Sequence, residues 1–277
     1  MMKTAECITY YVTHLRCKRP ESVERQVAHV ARLIGDIPAG DLRGHHLVEY
    51  RRQRRDEGVS DSTVNRELGY ARAALNVCHG AELIDRVPRF RMEREPPGPQ
   101  DWMTREQMEG VAEILDRADP LGDFARMAFH TGWRKRALAS LTWADVDWGR
   151  RLLTLPARHS KAGIPGQFPI EGEVERILRR RCDRREYDHV IIPWIFHRSG
   201  AQVKQFDSRW RTALKRRGLS GIRFHALRAS FVLHYVDLGI EDVVIRRLCQ
   251  MSRETFDRYR RMRAEDLRNA VLRAASL

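Results

Sequence analysis

The chain is expected to be mainly α-helical with a small antiparallel β-sheet, divided between an all-helical first domain and an α+β second domain. Three observations predict this. Apolar residues recur at helical spacing through residues 1–90, a proline-rich break follows, and one stretch beyond it alternates and carries turn signals. At 277 residues with 42% apolar side chains, there is material for two modest cores.

In the first domain, placed at 1–95, Val23, Val27, Val30, Ala31 and Ile34 form one helical stripe, which "GDIPAGD" ends. Val64, Leu68, Ala71, Leu75 and Cys78 form a second, with Asp61 or Ser62 as its cap and Gly80 as its stop. Weaker helices are expected near Ala5–Leu15 and Leu47–Arg55. "EPPGPQ", Glu95 to Gln100, forbids helix, and a linker is placed at 96–101. The second domain, 102–277, opens with a capping box, Thr104 with Gln107, and a hydrophobic staple, Met103 with Met108. "RRLLTLPARHSKAGIPGQFPI", Arg150 to Ile170, reads as antiparallel strands with Lys161 at or beside a hairpin tip. "HVIIPWIF", His189 to Phe196, fits a further strand or the start of a buried helix. Helices resume from Phe224, and Leu227, Phe231 and Leu238 are expected to bury one of them. Trp133, Trp143, Trp148, Trp194 and Trp210 read as core, and "RILRRRCDRRE" (Arg176–Glu186) as a charge-rich helix with a solvated face, or alternatively one that meets a DNA backbone.

Charge narrows the partner. The formal net charge of +14 points to a polyanion, nucleic acid first. It is uneven: residues 1–98 hold 17 Lys and Arg against 14 Asp and Glu, whereas residues 99–277 hold 34 against 23. The second part therefore carries the tighter phosphate grip. Only six of the 51 basic residues are lysine, so few side chains can donate a proton near neutral pH. The five cysteines are scattered and form no CxxC pair, which argues against a disulfide framework and a cysteine-rich zinc site. With no long apolar run and no apolar leader core, the chain reads as a soluble cytoplasmic protein, nucleoid-associated when bound to DNA.

"ETFDRYRR" places Tyr259 among Arg258, Arg260 and Arg261. "FHALRASF" puts His225 and Arg228 three apart, hence on one helical face, and "HTGWRKRALASLTWADVDW" sets Arg134 after a Thr-Gly break. With Lys161 these make a phosphate-centred inventory. Two guanidiniums neutralise non-bridging oxygens, a lysine protonates a leaving oxygen, and a phenol stores bond energy as a covalent ester. Free phenol, with a pKa of ~10, is only about 0.1% ionised at pH 7, and neighbouring cations push toward the phenolate.

Over nearly its whole length the chain resembles the tyrosine site-specific recombinases of the phage integrase type. "SDSTVNRELGYARAALN" resembles that family's core-binding domain, which implies that residues 1–95 form a helical DNA clamp. "TGWRKRALASLTWADVD" resembles the box around the first catalytic arginine, here Arg134, and "SKAGIPGQFPI" the hairpin of the catalytic lysine, here Lys161. "HALRASF" resembles the HxxR box of His225 and Arg228, and "RLCQMSRETFDRY" the last box, which ends at the nucleophile Tyr259. Two positions depart from the pattern. Ala137 stands where an acidic residue is usual, and Leu248-Cys249-Gln250 stands where Leu-Gly-His is usual, leaving Gln250 as a neutral donor to phosphate.

The resemblance implies a site-specific recombinase that integrates, excises or resolves a mobile element through a 3′-phosphotyrosyl intermediate, with no cofactor or metal. The partner implied is double-stranded DNA with specific recombination sites, bound as a homotetramer on paired sites by a protein monomeric in solution, away from membranes. The tail after Tyr259, patterned by Leu267, Val271 and Leu272, suits docking on a neighbouring protomer. No arm-binding domain is evident before the clamp, so simple attachment sites are expected. A catalytically weakened or accessory relative, a type IB topoisomerase-like nicking-closing enzyme and a DNA-binding regulator remain the rival readings.

Overall fold

The computed structural model describes residues 1–14, 20–93, 102–160 and 163–260. The chain divides into two compact units, Met1–Gly98 and Pro99–Leu277. The linker placed at 96–101, the tail after Arg260 and Lys161 lie outside the described residues.

The first unit is all helical: α1 (Thr4–His14), α2 (Pro20–Ile34), α3 (Gly44–Asp56) and α4 (Asp61–Gly80). The predicted stripes are its core. Val30, Val64 and Leu68 have no exposed surface, and Leu75 and Ala71 are 1% exposed. α4 ends at Gly80 as its sequence indicates, but its cap falls at Ser60 and not at Asp61 or Ser62. His46 has a structural job: its Nδ1 accepts from the backbone N–H of Arg43, capping α3. Polar chemistry also lies inside this unit. Glu67 is 1% exposed, and its carboxylate accepts from the Tyr50 hydroxyl at 2.7 Å and from Arg54 Nη2 at 2.7 Å. A buried carboxylate without such donors would cost several kcal/mol.

The second unit is α+β. Its helices are α5 (Arg105–Leu115), α6 (Leu121–Thr131), α7 (Lys135–Ala139), α8 (Gly172–Cys182), α9 (Asp207–Arg216), α10 (Ala226–Asp237), α11 (Asp242–Leu248) and α12 (Arg253–Arg260). The capping box forms as spelled: Thr104 Oγ1 accepts from Gln107 N at 3.2 Å, and Gln107 Oε1 accepts from Thr104 N at 3.0 Å. A three-stranded antiparallel sheet joins β1 (Val146–Asp147), β2 (Leu152–Leu155) and β3 (Gly166–Pro169) in the order β1-β2-β3. Leu153 opposes Phe168 and Leu155 opposes Gly166, so one face of the sheet carries Leu153, Leu155 and Phe168 into the core.

Of the two readings of "HVIIPWIF" the strand holds, as the two-residue strand Val190–Ile191, and no helix forms there. β4 (Glu186–Tyr187) and β5 (Val190–Ile191) form a short hairpin, and β6 (His197–Arg198) and β7 (Ala201–Gln202) form another. Asp188 and His189 both have positive φ, 51° and 60°, the conformation of a two-residue turn matched to strand twist. An aromatic group centres the unit. Phe124 packs edge-on against Phe196 at 5.1 Å and Phe206 at 5.4 Å, and stacks on Phe224 at 5.6 Å. Each buried phenylalanine contributes about 1.5–3 kcal/mol.

Three sequence expectations are corrected. Trp148 is 40% exposed beneath the Arg179 guanidinium, because it lies at the turn between β1 and β2. Leu238 is 62% exposed, because α10 ends at Asp237 and the core-facing stripe ends with it. Arg181, in the stretch read as solvated, is fully buried and pairs with Asp119. Cys7, Cys78, Cys182 and Cys249 are free thiols. Among the described residues no helix is long and apolar enough to cross a membrane, and no group of three or more His, Cys, Asp or Glu is placed to hold a metal.

Candidate active site

α6 ends at Gly132, whose φ of 63° is the left-handed conformation that glycine adopts without steric cost. Space demands glycine as well. A Cβ there would fall 2.6 Å from Cδ1 of Phe231 on α10 and 3.0 Å from Cβ of Cys249 after α11. The close approach brings three segments together: the start of α7, the first turn of α10, and the turn after α11. Trp133, 2% exposed, ties two of them by donating its indole N–H to the Leu248 carbonyl at 2.8 Å. Core packing was foreseen for Trp133; this tie was not, and its only sequence signal is the neighbouring Gly132.

Arg228 sits at the junction and is 3% exposed. Its Nη1 donates to the carbonyls of Gly132 and Cys249, the latter at 2.7 Å, and its Nη2 to that of Gln250 at 3.0 Å. Carbonyls thus take three of the five N–H donors of a guanidinium, leaving two for a ligand. Arg228 is both a brace for the turn after α11 and a fixed positive charge. A lysine ammonium cannot occupy the positions of both Nη1 and Nη2, so Arg228→Lys is expected to lower the unfolding free energy by about 3 kcal/mol, read from urea denaturation.

Arg134 is the residue immediately before α7 and is half-buried, with no carboxylate partner among the described residues. The position where an acid is usual, Ala137, is 4% exposed and packs in the core. Arg134 therefore faces the site with its charge uncompensated.

Tyr259 lies on α12, partly buried against the core, and its Oη is 3.2 Å from His225 Nε2. His225 precedes α10 in helical conformation, so it and Arg228 share the first turn. Burial, then the guanidiniums of Arg228, Arg134 and Arg223, hold the His225 pKa below its usual 6.5. The ring is neutral at neutral pH, and in the tautomer protonated at Nδ1 its Nε2 accepts the phenolic proton.

The charges around Tyr259 differ from those its local sequence suggests. Arg260 pairs with Asp242, and Arg258, paired with Glu254, favours the phenolate less than two more distant arginines do. Arg228 and Arg134, far away in the chain, are the leading cations that favour the phenolate. Burial nevertheless outweighs them and holds the phenol above its usual value of 10. The phenol is protonated at rest, so its proton must leave as it reacts.

Gln250 has a φ of 52°, in the left-handed region. Its side chain turns away from the arginine junction: Nε2 donates to the Ile164 carbonyl at 3.4 Å, at the end of the hairpin before β3. The amide proposed for phosphate thus engages the hairpin. Cys249, where glycine is usual, is fully buried, and burial pushes its thiol up to about 11. It is no competing nucleophile at neutral pH. Tyr259, His225, Arg228 and Arg134 are therefore brought together and Gln250 borders them, whereas Lys161, the remaining residue of the expected set, lies outside the described residues.

Residues 101–265 match the phage integrase family, and residues 7–87 match the N-terminal domain of phage integrase. The chain belongs to the phage integrase family of tyrosine recombinases. It is 28% identical to the tyrosine recombinase XerA of Pyrococcus furiosus over 204 residues, 69% of this chain and 68% of that protein. It is 21% identical to the integrase of Salmonella phage P22 over 65% of its own length, and spans 49% of that integrase. Among solved structures, the Tn1549 transposon integrase bound to circular intermediate DNA superposes with a TM-score of 0.76 at 15% identity, covering 94% of this chain and 95% of that one. A lambda integrase tetramer on a Holliday junction superposes with a TM-score of 0.72 at 15% identity, covering 91% and 78%. These likenesses establish the mainly helical fold with small antiparallel sheets.

Proposed function

We propose that the protein is a site-specific DNA recombinase that breaks and rejoins strands through a covalent bond to Tyr259. The observation that carries this reading is the 3.2 Å contact of the Tyr259 hydroxyl with His225, beside the Arg228 junction. Tyr259 Oη attacks the scissile phosphorus and passes its proton to His225 Nε2. The bond from phosphorus to the 5′-oxygen breaks, and that oxygen takes a proton from Lys161. A 3′-phosphotyrosyl ester and a free 5′-hydroxyl result. Arg134 and the two remaining donors of Arg228 stabilise charge growing on the non-bridging oxygens. A 5′-hydroxyl from a partner duplex then reverses the step, and strands are exchanged.

The DNA partner is supported by charge and by the DNA-bound relatives. In the first unit, Arg66 and Arg72 are exposed on α4 without carboxylate partners among the described residues, flanking Gly69, where an added Cβ would meet nothing within 4 Å. That face suits a duplex backbone and supports a clamp role for residues 1–95. Assembly as a homotetramer on paired sites is supported by the tetrameric lambda integrase structure.

The test is incubation with nicked duplexes carrying candidate attachment sites. The expected product is a denaturant-resistant adduct whose DNA maps to Tyr259. Site-specific binding without any adduct across the candidates would favour an accessory relative and overturn the catalytic reading. Affinity is also expected to fall linearly with log salt, with a slope of about −0.9 per phosphate contacted. The second unit alone should keep most of that slope; equal affinity of residues 1–98 at the same salt would contradict it.

A further inference from the structure

The turn after α11 joins Arg228 to the hairpin through one residue. The Gln250 carbonyl is held by Arg228 Nη2 at 3.0 Å, which fixes its backbone. Its side chain then lies across Gly166, the first residue of β3. A Cβ on Gly166 would fall 2.0 Å from Gln250 Nε2, 2.5 Å from Cδ and 3.0 Å from Cγ. Gly166 has no positive φ, so its backbone does not require glycine; an added Cβ there would displace the end of the Gln250 side chain. Gln250 Oε1 is buried without a hydrogen-bond partner, so the amide is held by Nε2 and by packing. The left-handed backbone at Gln250 is a conformation that a glutamine adopts at some cost, which packing must offset.

We propose that Gln250 is a positioning residue that seats the hairpin bearing Lys161 against the arginine junction, with Gly166 as its receptor. This rests on Lys161 acting as the proton donor described above. Ile164, whose carbonyl the amide grips, follows Lys161 by three positions, and the strand beyond it starts at Gly166. The seat therefore governs protonation of the leaving oxygen and not charge on the phosphate.

The assay compares cleavage of a nicked duplex containing the cleaved site, made with either oxygen or sulfur at the bridging 5′ position. Sulfur leaves without a proton and bypasses the lysine. Gln250→Gly, which relaxes the backbone, and Gly166→Ala, which displaces the amide, are each expected to slow oxygen-DNA cleavage about 10–100-fold, as misplacement of about 1 Å does. Both should cleave sulfur-DNA at close to the parent rate. In the double variant the alanine has no amide to strike, so its loss should equal that of Gln250→Gly alone. Urea midpoints confirm that each variant is folded. Equal losses on both substrates would make Gln250 a phosphate contact and overturn the seat, as would additive losses in the double variant. Lys161→Ala, run alongside, separates the two levels. If sulfur rescues it but not Gln250→Gly, the seat alone fails; if sulfur does not rescue it, the role of Lys161 fails and the seat with it.

Discussion

Tyr259→Phe is expected to abolish the covalent protein–DNA adduct while leaving DNA affinity and folding nearly intact. The ring keeps its packing against the core, and only the hydroxyl and its 3.2 Å contact with His225 are lost. One such hydrogen bond contributes about 0.5–1.5 kcal/mol to stability, too little to unfold the unit. The neighbouring Cys249 thiol is not expected to take over the attack, because it is fully buried and pushed up to about 11. A denaturing gel with labelled nicked DNA reads the result directly. An adduct surviving in this variant would remove Tyr259 from the mechanism.

Lys161→Ala is expected to cleave ordinary DNA very slowly and 5′-bridging-sulfur DNA at close to the parent rate. An alkoxide is a poor leaving group: the pKa of water is about 15.7 and that of a thiol about 8.5, so sulfur departs with far less help. Arg134→Ala and Arg228→Ala should gain nothing from sulfur, since in the proposed mechanism they act on non-bridging oxygens that the substitution leaves in place. Arg228→Ala should also lose stability, because three carbonyls lose their donors. Equal impairment of Lys161→Ala on both substrates would make the lysine a charge contact and move the proton donor to His225.

The protonation states place a constraint on the order of events. Burial holds the Tyr259 phenol above its usual value even though Arg228 and Arg134 oppose it. Burial and the same two arginines, with Arg223, keep His225 neutral at neutral pH. The pair at rest is therefore a protonated phenol against a neutral base, and the proposed attack on phosphorus requires the proton to move as it proceeds. A site built to hold a standing phenolate would need cations enough to outweigh its burial.

Much of the fold is local in origin and was legible in the chain. The stripes of Val23, Val27, Val30 and Ile34, and of Val64, Leu68 and Leu75, are buried as their 3.6-residue spacing dictates. Thr104 and Gln107 close their box within one turn, and the alternation of Leu153 and Leu155 carries β2 into the core. His225, Arg228 and Arg134 were also marked, because a helix turn and a Thr-Gly break fix their immediate geometry. What the tertiary structure alone decided is which charges meet. Arg258 and Arg260 flank Tyr259 in sequence, yet both pair with carboxylates, Glu254 and Asp242, and Arg258 acts on the phenol less than Arg228 and Arg134 do. Arg228 and Arg134 reach the phenol only because Gly132 lets α6, α10 and the turn after α11 approach within van der Waals distance. The same contact commits three donors of Arg228 to carbonyls and turns the Gln250 amide onto Gly166. Periodicity records which face of an element is apolar. Pairing between polar groups depends on distances between elements, and those are set by packing across the whole unit.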